Sequence, residues 1–274
     1  MYMIFKDGKA KALTLSYDDG VVQDIRLMDI MNKYGLKGTF NINSGLYLPE
    51  DKVREKYYGR MKRSEAKELY TGSDHEVAVH AYSHPFLERL SAPEMISEIM
   101  EDRKDIEREY GVIARGMAYP YGTYSDEVVD VLKKCGICYS RTVRQTLDFK
   151  MPENWLTLHP TCHHKNEKLM ELAKKFAEDK SVWYGARMFY VWGHSYEFDN
   201  DDNWNVIEEF AEYIGGRDDI WYATNIEIYD YVKAYESLQL SVDKKTIHNP
   251  SAIDLWAVED DEVFKIPAGE TIYR

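Results

Sequence analysis

Cysteine is scarce in this sequence: its 274 residues include only Cys135, Cys138 and Cys162. An odd number in a chain of this length does not make a disulfide framework. Cys135-Gly136-Ile137-Cys138 has the spacing of a redox pair, but such pairs open a helix, where the dipole lowers the thiol pKa. Here Gly136 reads as the residue just past a helix end, so buried structural cysteines are expected. Long apolar runs are also missing, since none approaches the roughly 18 residues of a membrane span. Lys and Arg form no basic stripe, and the net charge is −13. Nucleic acid and an anionic membrane surface are therefore not expected partners. Met1-Tyr2-Met3-Ile4-Phe5-Lys6-Asp7 has no basic start followed by an apolar stretch, which leads to the expectation of a cytoplasmic protein.

What remains is a globular composition, 44% hydrophobic, long enough for one large domain with a small appendage. The dominant pattern is a strand followed by a helix, repeated. Lys11 to Tyr17 suits a buried strand that runs into Asp18-Asp19-Gly20 and a helix closed by Gly35. Strands are also predicted at Gly38 to Ile42, Glu76 to Val79, Arg115 to Tyr119, Ile137 to Ser140, Trp155 to Leu158, Met188 to Trp192 and Ile220 to Tyr222. Ser91-Ala92-Pro93-Glu94 is a capping box with an early proline, and Thr224 with Glu227 forms another. Such alternation predicts an α/β fold with a parallel sheet, and so many repeats predict a (β/α) barrel. After about residue 239 the pattern changes to short strands near 240–242, 253–258 and 263–266, separated by Asn-Pro and Pro-Ala-Gly turns. The expected organisation is a barrel over residues 1–238 and a small C-terminal β appendage over 239–274.

In such barrels the C-terminal ends of the strands share one mouth. Three polar clusters fall at predicted strand ends: Asp18-Asp19, His80 to His84, and His194. Two histidines and a carboxylate supply the three protein ligands of a catalytic zinc-type site and leave a position for water, whose acidity the cation raises. Adjacent residues at a strand end point in different directions, so one aspartate can bind the metal while the other accepts the water's proton. A single buried histidine is more often a hydrogen-bonded core residue. Two of them four residues apart after a strand suggest a loop folding back on one ion.

These clusters belong to an ordered set. Leu13-Thr14-Leu15-Ser16-Tyr17-Asp18-Asp19-Gly20 resembles the first motif of the polysaccharide deacetylase superfamily (the NodB-homology group, carbohydrate esterase family 4). His80-x-x-x-His84, with Ser83 before the second histidine, resembles its second motif. Ala118-Tyr119-Pro120-Tyr121-Gly122 resembles the third, and Trp192-Gly193-His194 lies where the fifth motif's histidine belongs. The resemblance implies a distorted (β/α) barrel with fewer than eight strands, about seven of them parallel, and a metal-dependent hydrolase acting on carbon–nitrogen bonds other than peptide bonds. It implies Asp18 as general base, Asp19, His80 and His84 as metal ligands, the backbone N–H of Tyr121 as oxyanion donor, and His194 as general acid. Two departures stand out. Many family members place an arginine just before the third motif's prolines to hold the base aspartate, and Ala118 stands there. Arg141, at the end of the next strand, is the candidate to reach Asp18 from another side, and Arg115 is a poorer one. The fourth motif, usually Asp-Trp, has no counterpart, which leaves Glu197 and Asp199 as candidate partners of His194.

His159-Pro160-Thr161-Cys162-His163-His164 repeats the four-residue histidine spacing. The family resemblance gives it no role; its readings are a lining of the substrate cleft, a hydrogen-bond network behind the site, or a competing metal site, the last disfavoured because no carboxylate doublet accompanies it. Among the aromatics, Tyr17, Tyr121, Trp192, Tyr196 and Trp204 lie close in sequence to the expected mouth, where one or two suit a sugar-stacking platform. The leading expectation is removal of an N-acetyl group from an amino-sugar or oligosaccharide with a divalent cation, zinc first and cobalt, nickel or manganese as alternatives. The alternative is a metal-dependent amidohydrolase on a small linear or cyclic amide. A carbohydrate-binding protein without catalysis is the third reading, disfavoured because base, ligands and acid are all present.

Overall fold

The computed structural model describes residues 1–54, 59–180 and 185–274. Its strands are β1 (Tyr2–Ile4), β2 (Lys11–Asp18), β3 (Gly38–Ile42), β4 (Glu76–Val79), β5 (Gly116–Ala118), β6 (Tyr139–Arg141), β7 (Cys162–His163), β8 (Arg187–Gly193), β9 (Ile220–Tyr222), β10 (Gln239–Leu240), β11 (Thr246–His248), β12 (Leu255–Glu259), β13 (Glu262–Ile266) and β14 (Thr271–Tyr273). The helices are α1 (Asp24–Lys33), α2 (Arg63–Tyr70), α3 (Ala92–Tyr110), α4 (Asp126–Lys134), α5 (Leu169–Glu178), α6 (Tyr196–Asn200), α7 (Asn205–Ile214) and α8 (Asn225–Glu236). None of the described helices is long and apolar enough to cross a membrane.

The parallel sheet runs β6-β5-β4-β3-β2-β8-β7, with β9 joined to the first half of β2. All eight residues of β2 are buried, as a strand covered on both faces must be. The curl is carried past β6 by the segment that follows it. Leu158 N–H donates to Ser140 O at 2.9 Å, and Thr161 N–H donates to Tyr190 O at 2.8 Å. One stretch thus touches β6 at its start and β8 at its end, giving the distorted barrel that the resemblance implies. The strand expected at Trp155 to Leu158 is instead a 3₁₀ turn over Trp155–Thr157. Asn154 Oδ1 accepts the Leu156 N–H at 2.9 Å, a local side-chain bond that competes with strand pairing.

Helix ends follow their capping chemistry. In α3 the Glu94 carboxylate accepts both the N–H and the hydroxyl of Ser91, at 2.8 and 2.6 Å. Gly111 ends that helix in the left-handed conformation, φ 69°, where glycine avoids a Cβ clash. Cys135 caps the end of α4 and is buried, Cys138 is half-buried and Cys162 is buried in β7; all three are free. Burial raises the thiol pKa of Cys135 and pushes that of Cys162 up to about 12, the opposite of a redox pair's tuning.

The C-terminal strands form two small antiparallel sheets, β1-β12-β13 and β10-β11-β14. The β12–β13 hairpin turns at Asp260 and Asp261, both with positive φ (46° and 71°), as a two-residue hairpin requires. Their inner residues Ile247, Leu255, Ala257 and Ile266 share one apolar cluster with Met188 and Tyr190 of β8 and with Ile228 and Tyr231 of α8.

Candidate active site

The C-terminal ends of β2, β4, β5, β6 and β8, and the residues just beyond them, meet at one cleft of 390 Å³. Asp18 ends β2 and is almost fully buried. Asn41, one strand over, donates through Nδ2 to Asp18 Oδ1 at 2.9 Å. Arg141, ending β6 and equally buried, donates to Asp18 Oδ2. Burial pushes the Asp18 carboxyl up, but Arg141 first, then His80 and His194, outweigh it and hold it below its ordinary value. The carboxylate therefore stays ionised with one oxygen facing the cleft. His80 Nε2 and His194 Nε2 each lie 3.9 Å from Asp18 Oδ2.

Asp19 leaves the strand with φ 87° and turns its side chain to the other wall. Its Oδ1 is 3.9 Å from His84 Nε2. The ligand atoms of Asp19, His80 and His84 all lie within 4.8 Å of one another. His80 Nδ1 bonds the Ala118 carbonyl at 2.8 Å, which fixes the tautomer and leaves Nε2 as a free lone pair. Burial lowers the pKa of both histidines, that of His84 to about 4, so both are neutral donors. Two neutral imidazoles and one carboxylate, close together and without internal pairing of the histidine donors, fit a divalent cation of the zinc type.

The loops that bring these groups together carry backbone strain. Ala81, His84 and Tyr121 have φ near 60°, a region that costs non-glycine residues of order 1–3 kcal/mol each. Side-chain hydrogen bonds brace the loop that carries Ala81 and His84. Asn43 Nδ2 donates to the carbonyls of His80 and Ala81 at 2.5 and 2.7 Å. Asp102 accepts the N–H groups of His80 and Ser44 at 2.9 and 2.7 Å. Ser83 is tied to Glu98 through both its N–H and its hydroxyl, at 2.8 and 2.7 Å.

Tyr121 and Trp192 line the cleft, and Arg141 stacks on the Trp192 ring at 4.2 Å. Tyr121 is half exposed and stacks on Phe86 at 3.8 Å. Tyr196 is also at the cleft, whereas Tyr17 and Trp204 are buried in the core around Phe198. Arg115 lies elsewhere, paired with both oxygens of Asp230 at 3.0 and 2.6 Å. Of the two candidate partners of His194, Asp199 is taken by Gln23 and Trp204, at 2.8 and 2.7 Å. Glu197 bonds His194 Nδ1 at 3.2 Å. His159 pairs with Thr142 at 2.6 Å, away from His163 and His164, which gather around Glu197.

One cleft residue is not legible in the sequence. Arg60 donates through Nη2 to Asp19 Oδ1 at 2.9 Å and through Nη1 to Asn43 Oδ1 at 2.8 Å. It sits on no strand end and in no motif, so only the fold of its loop reveals it.

The family model for polysaccharide deacetylases matches residues 5–140, a span that includes Asp18, Asp19, His80, His84 and Tyr121. The chain belongs to the polysaccharide deacetylase superfamily. Peptidoglycan-N-acetylmuramic acid deacetylase PdaC of Bacillus subtilis is 28% identical over 131 residues, 46% of this chain and 25% of that protein. Chitin deacetylase 1 of Cryptococcus neoformans is 27% identical over 124 residues, 45% of this chain and 24% of the relative. The chain thus spans about a quarter of the length of these curated relatives. The solved structure of peptidoglycan deacetylase PdaC from Bacillus subtilis aligns with a TM-score of 0.52 at 19% identity, covering 85% of this chain and 96% of that one. The likeness of fold covers a larger share of the chain than residues 5–140 do. In this deacetylase-family barrel a larger cavity of 540 Å³ lies between α8 and the C-terminal sheets, under Trp221 and Trp256. It holds none of the clustered histidines.

Proposed function

We propose that this chain removes an N-acetyl group from an acetylated amino sugar or oligosaccharide, in a reaction that needs a divalent cation, zinc first among those that suit the ligands. The observation that carries this reading is the meeting of five side chains in one cleft, with Asp18 standing 3.9 Å from His194 on one side and from His80 on the other. Asp19, His80 and His84 would hold the cation. When bound there, the cation supplies Lewis acidity, raising the acidity of water and polarising the acetyl carbonyl.

The remaining work falls to the chain itself. Asp18, kept ionised by Arg141, accepts the proton of the attacking water at Oδ2. Arg141 and Asn41 fix the direction of that carboxylate, so the proton is taken without reorganisation. The Tyr121 N–H serves as a donor to the oxygen that becomes negative. His194 delivers a proton from Nε2 to the departing amine. Trp192 and Tyr121 offer aromatic faces to the sugar ring.

The test begins with the metal content of purified protein by elemental analysis, followed by acetate release from N-acetylated chito-oligosaccharides before and after chelation. Asp18→Asn is expected to keep the metal and lose about 10²–10⁴-fold in kcat. His80→Ala is expected to lose the metal. Normal turnover by Asp18→Asn would remove the mechanism. Ammonia release from small amides with no acetate release from sugars would replace the substrate class with a small amide. Tight sugar binding without any hydrolysis would favour a binding protein.

A further inference from the structure

His194 must present a protonated Nε2 to the substrate, and nothing in the family's fourth motif is present in this chain to arrange that. The fold supplies another device. His194 directly follows the β8 strand and opens the turn into α6. The Glu197 N–H donates to His194 O at 3.1 Å, and Glu197 Oε2 accepts the His194 backbone N–H at 3.1 Å. The same Oε2 accepts from His194 Nδ1 at 3.2 Å. One carboxylate oxygen therefore holds both the backbone and the ring of a single histidine. This two-point hold leaves the imidazole little freedom about its side-chain torsions, and it places the proton on Nδ1 and the opposite nitrogen towards Asp18.

Glu197 is itself held. His163 Nε2 lies 3.1 Å from Oε2. His163 Nδ1 accepts the N–H of Lys165 at 3.1 Å, so the proton of a neutral His163 sits on Nε2 and points at the carboxylate. Lys165 Nζ stands 3.6 Å from Oε1. His164 approaches to 3.5 Å, yet among the described residues neither of its ring nitrogens has a hydrogen-bond partner. Burial holds its pKa at about 2, so it flanks the carboxylate as a neutral ring. The same three residues offer donor atoms within 4.8 Å, but the Lys165 N–H on His163 Nδ1 rules out a free lone pair on Nε2. The cluster is thus built as a hydrogen-bond chain and not as a second cation site.

We propose that Glu197, clamped by His163, is the positioning residue of His194: it fixes the imidazole in the tautomer and orientation that present Nε2 to the leaving nitrogen. This rests on the deacetylase reading for its consequence in turnover, but the hydrogen-bond chain itself is independent of substrate. The charged groups acting on His194 are Asp18 and Asp19 from the end of β2, with Asp18 on the Nε2 side, and Glu197 on the Nδ1 side. Around Glu197 stand His163 and Lys165. Removal of the Glu197 charge leaves the ring with one neutral acceptor and a weaker hold on its proton.

The experiment uses the metal-loaded full chain, with stoichiometry checked first, and compares wild type with Glu197→Gln and His163→Phe. For Glu197→Gln, kcat is expected to fall about 10- to 100-fold with KM within about twofold. The alkaline limb of the kcat/KM profile should move to lower pH, and metal content should be unchanged. His163→Phe should shift both readouts the same way by a smaller factor, and Glu197→Asp should recover part of the loss. In protein carrying ¹⁵N-labelled histidine, neutral His194 should be the Nδ1–H tautomer in wild type and a tautomer mixture in Glu197→Gln. A wild-type pH profile and an unchanged His194 tautomer in Glu197→Gln would overturn the inference. If wild type released no acetate, the deacetylase reading would fail, and the tautomer measurement alone would still decide this one.

Discussion

At the scale of single residues, the cleft depends on charges kept out of water and matched to one another. Asp18 and Arg141 are both nearly inaccessible, so each would be costly alone. Removing one partner of a buried pair typically costs about 3–5 kcal/mol, because the other charge is stranded. Arg141→Met is therefore expected to lower the urea-unfolding free energy by that order, while Asp18→Asn combined with Arg141→Met recovers most of the loss. Equal and additive losses in the two single variants and the double variant would show that the pair is not coupled. Family resemblance raises the question of what replaces the usual arginine, and the neighbouring strand answers it with Arg141. The route differs, but the oxygen that faces the cleft is held all the same.

At the scale of elements, strand ends matter more than strand bodies. Gly193 closes β8 directly before His194, and the strand packs there against the segment that carries His164. A Cβ on Gly193 would lie 2.0 Å from His164 Nδ1. His164 is sandwiched between Tyr17 and Phe198, with ring centroids at 5.7 and 4.2 Å, so it has nowhere to retreat. Gly193→Ala should cost about 1–3 kcal/mol by overpacking and lower the melting temperature. It should also depress activity, since His194 is the next residue. A Gly193→Ala protein with wild-type melting and turnover would mean that the β7–β8 packing is looser than these distances imply. The same packing explains why Trp192-Gly193-His194 needs a glycine at its centre.

For the whole molecule, the end of the barrel opposite the cleft carries its own electrostatic load. His75 is buried before β4, accepting the Gly38 N–H at 3.2 Å and bonding Asn32 Oδ1 at 3.0 Å. Burial lowers its pKa from 6.5 to about 4. The unfolded chain takes up this proton as pH falls through 6.5, and the native chain does not until about 4. The stability that His75 contributes is thus full above 6.5 and is lost as pH falls towards 4. Between pH 7 and pH 5 the loss is about 2 kcal/mol. Glu76 works the other way: burial raises it from 4.5 to about 7, so its contribution is full below 4.5 and is lost as pH rises through about 7. The His75 effect must therefore be read as a difference. Urea melts at pH 7 and pH 5 should show wild type losing about 2 kcal/mol more than His75→Gln. Parallel losses would indicate that His75 is already charged in the native state.

The sequence by itself determined the alternation of strands and helices, the capping boxes at Ser91 and Thr224, and the order of Asp18, Asp19, His80, His84 and His194 at strand ends. These are local properties, because apolar periodicity and cap chemistry act over a few residues and strand ends share a mouth in any such barrel. Short or weakly patterned elements were not legible: α2 buries only Ala66 and Tyr70, and Trp155–Thr157 follows a side-chain cap instead of its strand-like composition. Only the tertiary structure decided that Arg141 holds Asp18, that Arg60 holds Asp19, and that His163 and Glu197 converge on His194. Apart from the Glu197–His194 bond, which spans three positions, those contacts join residues dozens of positions apart, and no local rule carries information over that distance. They exist because curling the sheet brings the ends of distant strands within hydrogen-bond reach.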